Sequence, residues 1–225
     1  MRPAPPHSHN LGLDATYHQW RAKVGEKTSA NQRFDAWLFL NASSVLLSEK
    51  TGELLTVDLK ELNLPIGVFQ GALSRLAVEW VFDFRVMHQS KGRIKFVVYQ
   101  KDRLEKALRE APKCILHGKL GYAKENSGES FLTEVAARWT ASDSLPHEIG
   151  LALGYPALDV FGFMGLLPLP CKGVCGWRVY GCFDESKRRS DAFTNARCRA
   201  LAFLAERSSM DDESQHLSNI LSDPN

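Results

Sequence analysis

The spacing of apolar positions changes several times along the chain. In NQRFDAWLFLNA, Asn31 to Ala42, the residues Phe34, Trp37, Leu38 and then Leu40 fall at helical spacing. SVLLSEKTGELLTVDL carries two short apolar runs around Lys50-Thr51-Gly52, which fit either a hairpin or a helix end followed by a strand. PIGVFQGALSRL predicts a short helix. AVEWVFDFRVMH alternates, with Val78, Trp80, Phe82 and Phe84 opposite Glu79, Asp83 and Arg85. GRIKFVVYQ follows after the polar turn QSKG. Alternating β-branched and aromatic residues on both sides of a turn predict a β-hairpin. KDRLEKALREA and GESFLTEVAARW predict two helices with charged outer faces. CGWRVYGC predicts a short strand. SKRRSDAFTNARCRALAFLAER predicts a long closing helix with Phe193, Ala196, Ala200 and Phe203 or Leu204 facing inward. Helices and strands mix without a regular βαβ rhythm. The predicted class is therefore α+β, a small antiparallel or mixed sheet packed with several helices.

The stretch SLPHEIGLALGYPALDVFGFM, residues 144–164, predicts a helical hairpin. Ser144 can cap the first helix, because its side chain can accept a bond from an exposed N–H of the first turn. Pro146 suits that turn, where its missing donor would be unpaired anyway. Gly154 closes the helix and Pro156 starts the second. Ile149, Gly150, Leu153, Gly154, Val160 and Phe163 are spaced as two helices packed across a tight turn require.

Composition sets the bounds. The chain has 225 residues, 44% hydrophobic and 24% charged, with a formal net charge of +2. A domain of this size buries most of its apolar surface without covalent staples. The charge balance gives no pull toward nucleic acid or an anionic membrane. Residues 1–29, rich in Pro, His and polar residues, read as a flexible arm with a short helix around Ala15 to Val24. Residues 30–207 read as one globular domain, and the Ser- and Asp-rich residues 208–225 as a flexible tail. The longest nearly uncharged run, Val160 to Pro170, is too short to span a membrane. The N-terminus lacks the apolar core of a secretory signal. A cytoplasmic location is expected, with five free cysteines acting as small buried hydrophobes.

Candidate chemistry is sparse. His147-Glu148 suggests a zinc hydrolase, but that site needs a second His one turn on, and position 151 is Leu. Glu148 then serves the positive end of a helix, and His147 bonds a neighbouring element. LPCKGVCGWRVYGC places Cys171, Cys175 and Cys182 at C-x3-C-x6-C, which is not a zinc-knuckle spacing. Cys175, Cys198 and His147 are the candidate metal ligands, or a thiol and imidazole pair in a redox protein or enzyme. PALDVFGFMGLL offers one Asp and no cation, a poor composition for a helix that reads DNA. No phosphate loop or dinucleotide fingerprint is present, and no cofactor is identified. Lys187, Arg188, Arg189, Arg197, Arg199 and Arg207, partly balanced by Asp184, Glu185, Asp191 and Glu206, read as a solvated face and, more weakly, as an anion or RNA contact. The residue types best suited to a ligand or partner site are His147 and Glu148, Tyr155 at the bend, and Trp177, Arg178 and Tyr180 on the strand. They combine aromatic surface, one cation and an imidazole. The leading expectation is a non-catalytic binding or regulatory protein with a small-molecule or protein partner. The alternatives are a Cys/His metal-binding or redox protein or enzyme and, more weakly, a helix-turn-helix DNA-binding protein.

These motifs also resemble a bacterial family, domain of unknown function 3793 (DUF3793). Its Pro-His-Glu-Ile-Gly-Leu-x-Leu-Gly-Tyr-Pro core corresponds to Pro146–Pro156, and its Asp-Val-x-Gly-Phe to Asp159–Phe163. Cys175–Gly181 is similar to its Cys-x-x-Trp-Lys-Val-Tyr-Gly strand, and Phe193 with Cys198 to its closing helix. The family's opening Cys-Ala-Pro-Thr is replaced here by Asn41-Ala42-Ser43-Ser44, with Lys50 for its nearby Lys. The resemblance implies a cytoplasmic protein of the kind found in anaerobic bacteria, and implies no activity.

Overall fold

The computed structural model describes residues 29–221 apart from 91, 125 and 126. The N-terminal arm, including the helix expected at Ala15 to Val24, lies outside these residues. Helix α1 (Ala30–Asn41) opens with a capping box. The Ser29 hydroxyl accepts from the Gln32 N–H, and the Gln32 side chain accepts from the Ser29 N–H. After Ala42 the chain forms α2 (Ser43–Leu47) and then β1 (Gly52–Asp58), so a helix end followed by a strand is the outcome here.

Helix α3 (Ile66–Glu79) buries Phe69, Ala72, Leu73 and Leu76 as one stripe. It runs longer than PIGVFQGALSRL predicted and takes in part of the expected strand. Val78 and Trp80 are not strand residues: Val78 is 83% exposed, and the Trp80 N–H still bonds the Leu76 carbonyl. The apparent alternation there is the helix end running into a turn, where Val81 takes φ +55°. Strand β2 (Asp83–Ser90) starts after that turn and pairs with β3 (Arg93–Tyr99), as the hairpin pattern predicted.

The sheet order is β1-β3-β2, all antiparallel, with β3 in the centre. Residues of β3 alternate between two cores. Ile94, Phe96 and Val98 face α1, α2 and α3, against Phe34, Leu38, Phe69 and Leu73. The Phe34, Phe69 and Phe96 rings meet edge to face there, at 5.4 and 5.7 Å. Val97 and Tyr99 face the other way, into a core with Leu104, Phe131, Val135, Ile149 and Phe161. Between the pairs Val86↔Phe96 and His88↔Lys95, strand β2 carries one extra residue, Met87. This bulge turns both Met87 and His88 toward the second core, where His88 stacks on Trp139 at 5.6 Å.

The second core is closed by α4 (Lys101–Glu110), a π-helical turn (Cys114–Lys119) and α5 (Gly128–Ser142). It continues through a 3₁₀ turn (His147–Leu151), α6 (Ala157–Phe163) and a small hairpin of β4 (Gly173–Val174) and β5 (Arg178–Val179). Helix α7 (Phe183–Leu221) ends the described chain, its backbone running past Arg207. Ser186, Ala196, Ala200, Leu201 and Leu204 are buried on it, while Phe203 stays 47% exposed beside Phe39. The architecture is α+β. Among the described residues no helix is long and apolar enough to cross a membrane. The cysteines depart from expectation. All five are free; Cys114, Cys171, Cys182 and Cys198 are exposed, and Cys175 is only half-buried.

Candidate functional site

The hairpin of residues 144–164 is present, but both arms are short. The first is a single 3₁₀ turn and the second a seven-residue α-helix. Ser144 caps neither. The 3₁₀ turn starts at His147 with Pro146 in the capping position, two residues past Ser144, and no side chain caps it. Gly154 makes the bend at φ +81°, and a Cβ there would lie 2.9 Å from the Thr51 backbone nitrogen. Pro156 then leads into α6, and its carbonyl accepts from the Asp159 and Val160 N–H groups.

Helix α6 aims one acid inward. Asp159 is 1% exposed, and four donors meet its carboxylate. Oδ1 accepts from the Tyr180 and Gly181 N–H groups, both at 2.7 Å. Oδ2 accepts from Trp177 Nε1 at 2.8 Å and from the Ser186 hydroxyl at 2.7 Å. All four partners are neutral. Burying a charge this way is tolerated only because each oxygen is fully bonded. The bonds fasten β5 and the start of α7 to α6. Gly162, one turn on, lets Tyr180 sit against the helix, since a Cβ at 162 would fall 2.5 Å from that ring.

Glu148 points away from this hub. It does not serve as a solvent-side helix-start charge. It is 5% exposed and accepts from the Tyr122 hydroxyl at 3.1 Å and from Arg138 at 3.2 Å. Arg138 also lies over the Tyr122 ring, 4.2 Å from its centre, and donates to the Leu120 carbonyl. Burial, reinforced by the Glu148 charge, pushes the Tyr122 phenol well above its ordinary value.

Between the 3₁₀ turn, α6 and β5 lies a cavity of about 360 Å³. Its apolar lining includes Leu145, Ile149, Leu153 and Val160. His147, Tyr155, Trp177 and Arg178, all singled out from sequence, line it together with Phe163. The Trp177 indole is held by its bond to Asp159, stacks on Tyr155 at 4.7 Å, and has Phe193 6.2 Å away. Buried Lys50 stands 6.0 Å from the Tyr155 ring and 5.0 Å from the Phe193 ring. Its ammonium and the Ser44 hydroxyl share Glu53 Oε2, at 2.6 and 2.7 Å. Burial raises the Tyr155 phenol and the Cys175 thiol above their ordinary values. His147 is exposed and meets Phe163 edge-on at 5.0 Å, with no bond to a neighbouring element among the described residues.

Two of the six sequence-predicted residues fall outside the cavity: Glu148 serves the Tyr122–Arg138 cluster, and Tyr180 packs on Gly162. Cys175, Cys198 and His147 do not form a metal-binding group. Among the described residues no three His, Cys, Asp or Glu side chains form a metal-binding group. Cys198 is exposed on α7, and burial holds Cys175 protonated rather than activated. A helix that reads DNA must be exposed, and α6 is so only in part. Phe161 is fully buried, but Leu158 and Phe163 are 46% and 44% exposed. The exposed side of α6 is apolar and without a cation, unsuited to phosphate contact.

A family model described as "Protein of unknown function (DUF3793)" matches residues 38–212, more than three quarters of the chain. This protein belongs to the DUF3793 family. No curated protein and no solved structure matches it. The matched region of this DUF3793 protein contains the whole cavity lining, both buried acids and the Lys50–Glu53 pair. Sequence reasoning missed Asp159 as an organiser. The available signal was a single acid inside the otherwise apolar PALDVFGF.

Proposed function

We propose that this DUF3793 protein binds a small organic molecule in the cavity between the 3₁₀ turn, α6 and β5, and does so without catalysing a reaction. The observation that carries this reading is the cavity itself. A volume of about 360 Å³ suits a small ligand, and an apolar lining with a few polar groups is the usual composition of such sites. The lining groups favour binding over chemistry. Asp159 has both oxygens engaged, the Tyr155 phenol is held neutral, and the lining offers no Ser, Thr, Cys or Lys among the described residues. The aromatic wall is fixed before any ligand arrives, which lowers the ordering cost of binding.

The test is a ligand-observed NMR screen of an aromatic fragment set against the full chain, with Leu153→Trp as a filled-cavity control. Fragments should bind the native protein and lose binding in the variant, whose fold is checked by thermal melting. Fragments that bind both proteins equally would place the ligand elsewhere and refute the reading.

A further inference from the structure

We infer that the ligand is a flat aromatic monoanion, a carboxylate whose acid group is held by Arg178. This rests on the cavity being the ligand site and specifies what enters it.

The first observation is the ring content of the lining. Tyr155, Phe163, Trp177 and the His147 imidazole all face the cavity, beside Leu145, Ile149 and Leu153. Aromatic ligands gain from edge-to-face and offset contacts with such rings beyond simple burial, and His147 and Phe163 already meet in that way. Two of the rings are held in place. Trp177 is locked by its N–H bond to Asp159 and its stack on Tyr155. A preset apolar wall favours a rigid, flat guest over a flexible chain.

The second observation is charge. Arg178 lines the cavity from β5, and its neighbour Val179 is fully buried, so Arg178 lies on the outer side of that strand. Among the described residues no carboxylate pairs with its guanidinium, whereas Arg75, Arg93, Arg138 and Arg189 each hold an acid within 3.2 Å. A guanidinium presents parallel donors that match a carboxylate in bidentate geometry. Arg178 is the one Lys or Arg in the cavity lining, and a single cation matches one negative charge, which favours a carboxylate over a phosphate dianion.

The competing charge is Asp159, which also lines the cavity. On its own, a buried carboxylate among aromatic rings would suit a cationic guest. Its four hydrogen bonds decide against this. A ligand ammonium would have to displace the Trp177, Tyr180, Gly181 or Ser186 donor, and those bonds hold β5 and α7 in place. Arg178 has no such bond to lose.

The experiment titrates three probes of one shape into the full-length protein: 2-naphthoate, 2-naphthalenemethanol and 2-naphthylmethylamine. Each is run against the native protein, Arg178→Ala, Arg178→Lys and Leu153→Trp. Naphthoate should bind the native protein at least tenfold more tightly than the other two, about 1.4 kcal/mol. Arg178→Ala should erase that preference by weakening naphthoate alone, and Arg178→Lys should restore it only in part, because an ammonium lacks the paired donors. The exposed Arg178 side chain makes both variants safe for folding. The inference is overturned if the alcohol or amine binds as well as naphthoate, if naphthoate does not bind, or if Arg178→Ala leaves its affinity unchanged. In these cases the cavity reading stands wherever Leu153→Trp still abolishes binding of a probe. If Leu153→Trp changes no probe that binds, the cavity reading itself falls, and this inference with it.

Discussion

The two arms of the 144–164 hairpin each bury one carboxylate, and they solve the same problem differently. Asp159, on α6, is held by four neutral donors and no cation. Glu148, on the 3₁₀ turn, is held by a phenol and by Arg138, whose side chain is 29% exposed. All four Asp159 donors come from residues 177–186, two of them backbone N–H groups, so this acid fixes the path of the chain that follows it. Glu148 draws on side chains of the π-helical region and α5 and ties together elements that apolar packing already joins. The difference shows where the fold is delicate. Behind the cavity, chain geometry depends on one charge; beneath the 3₁₀ turn, a charge pair supplements a packed core.

The largest effect should follow from removing the first acid. Asp159→Ala leaves two backbone N–H groups, an indole N–H and a hydroxyl without their acceptor. Each unsatisfied buried donor costs about 1–3 kcal/mol, partly recovered by relaxation. The expected loss is about 4 kcal/mol, read from urea unfolding, with the β5 hairpin loosened and probe binding in the cavity lost. A loss below about 1 kcal/mol would mean the hub is not organising the chain. Gly162→Ala attacks the same hub by sterics. Its methyl would lie 2.5 Å from the Tyr180 ring, and overpacking of this kind costs about 1–3 kcal/mol. Tyr180→Ala in the same chain should relieve that part of the cost, which a double-mutant cycle would reveal.

The Glu148 side should respond less. Arg138→Ala removes the cation and strands a buried carboxylate, but the partial exposure of Arg138 lets water replace it. About 2 kcal/mol is expected, below the 3–5 kcal/mol of a fully buried pair. Glu148→Gln keeps the shape and an acceptor for Tyr122, so about 1 kcal/mol is expected. If Glu148→Gln cost more than Asp159→Ala, the contrast between the two acids would be reversed.

The division between the two acids also marks what the sequence made legible. The β2–β3 hairpin, α4, α5 and the inward stripe of α7 were readable because their apolar periods are long and continuous. The bend at Gly154 and Pro156 was readable because few residues suit it. Four cavity residues were readable by chemical type: His147, Tyr155, Trp177 and Arg178. What failed was direction. At a helix start, Glu148 is equally compatible with solvent and with a buried Arg, and nothing local marks Tyr122 and Arg138 as its partners across 26 and 10 positions. Asp159 was hidden for a related reason, since two of its four donors are backbone groups, which carry no residue signature. Val78 and Trp80 misled because a helix end running into a strand can imitate alternation. The cysteines misled because their usual burial is a tendency of residue type, overridden here by positions on outer faces and loops.

The smallest effect is also the most selective. Burial, with the Glu148 charge added, holds the Tyr122 phenol far above its ordinary value of about 10. In the unfolded chain that phenol ionises near pH 10, while in the folded protein it keeps its proton. Stability from this group is therefore fully present below pH 10. It declines as pH rises beyond that, because the native state holds a proton that the unfolded state has lost. Tyr99 and Tyr155 are raised by burial in the same direction and add to the decline. Tyr122→Phe should cost about 1 kcal/mol at neutral pH, the value of its bond to Glu148. Above pH 10 the variant should lose stability less steeply than the native protein, because one of the three titrating phenols is gone. Urea midpoints from about pH 8 to pH 11 would show the two curves converging. Parallel curves would mean that Tyr122 ionises as readily folded as unfolded, and that the Glu148 cluster is more open to water than its packing indicates.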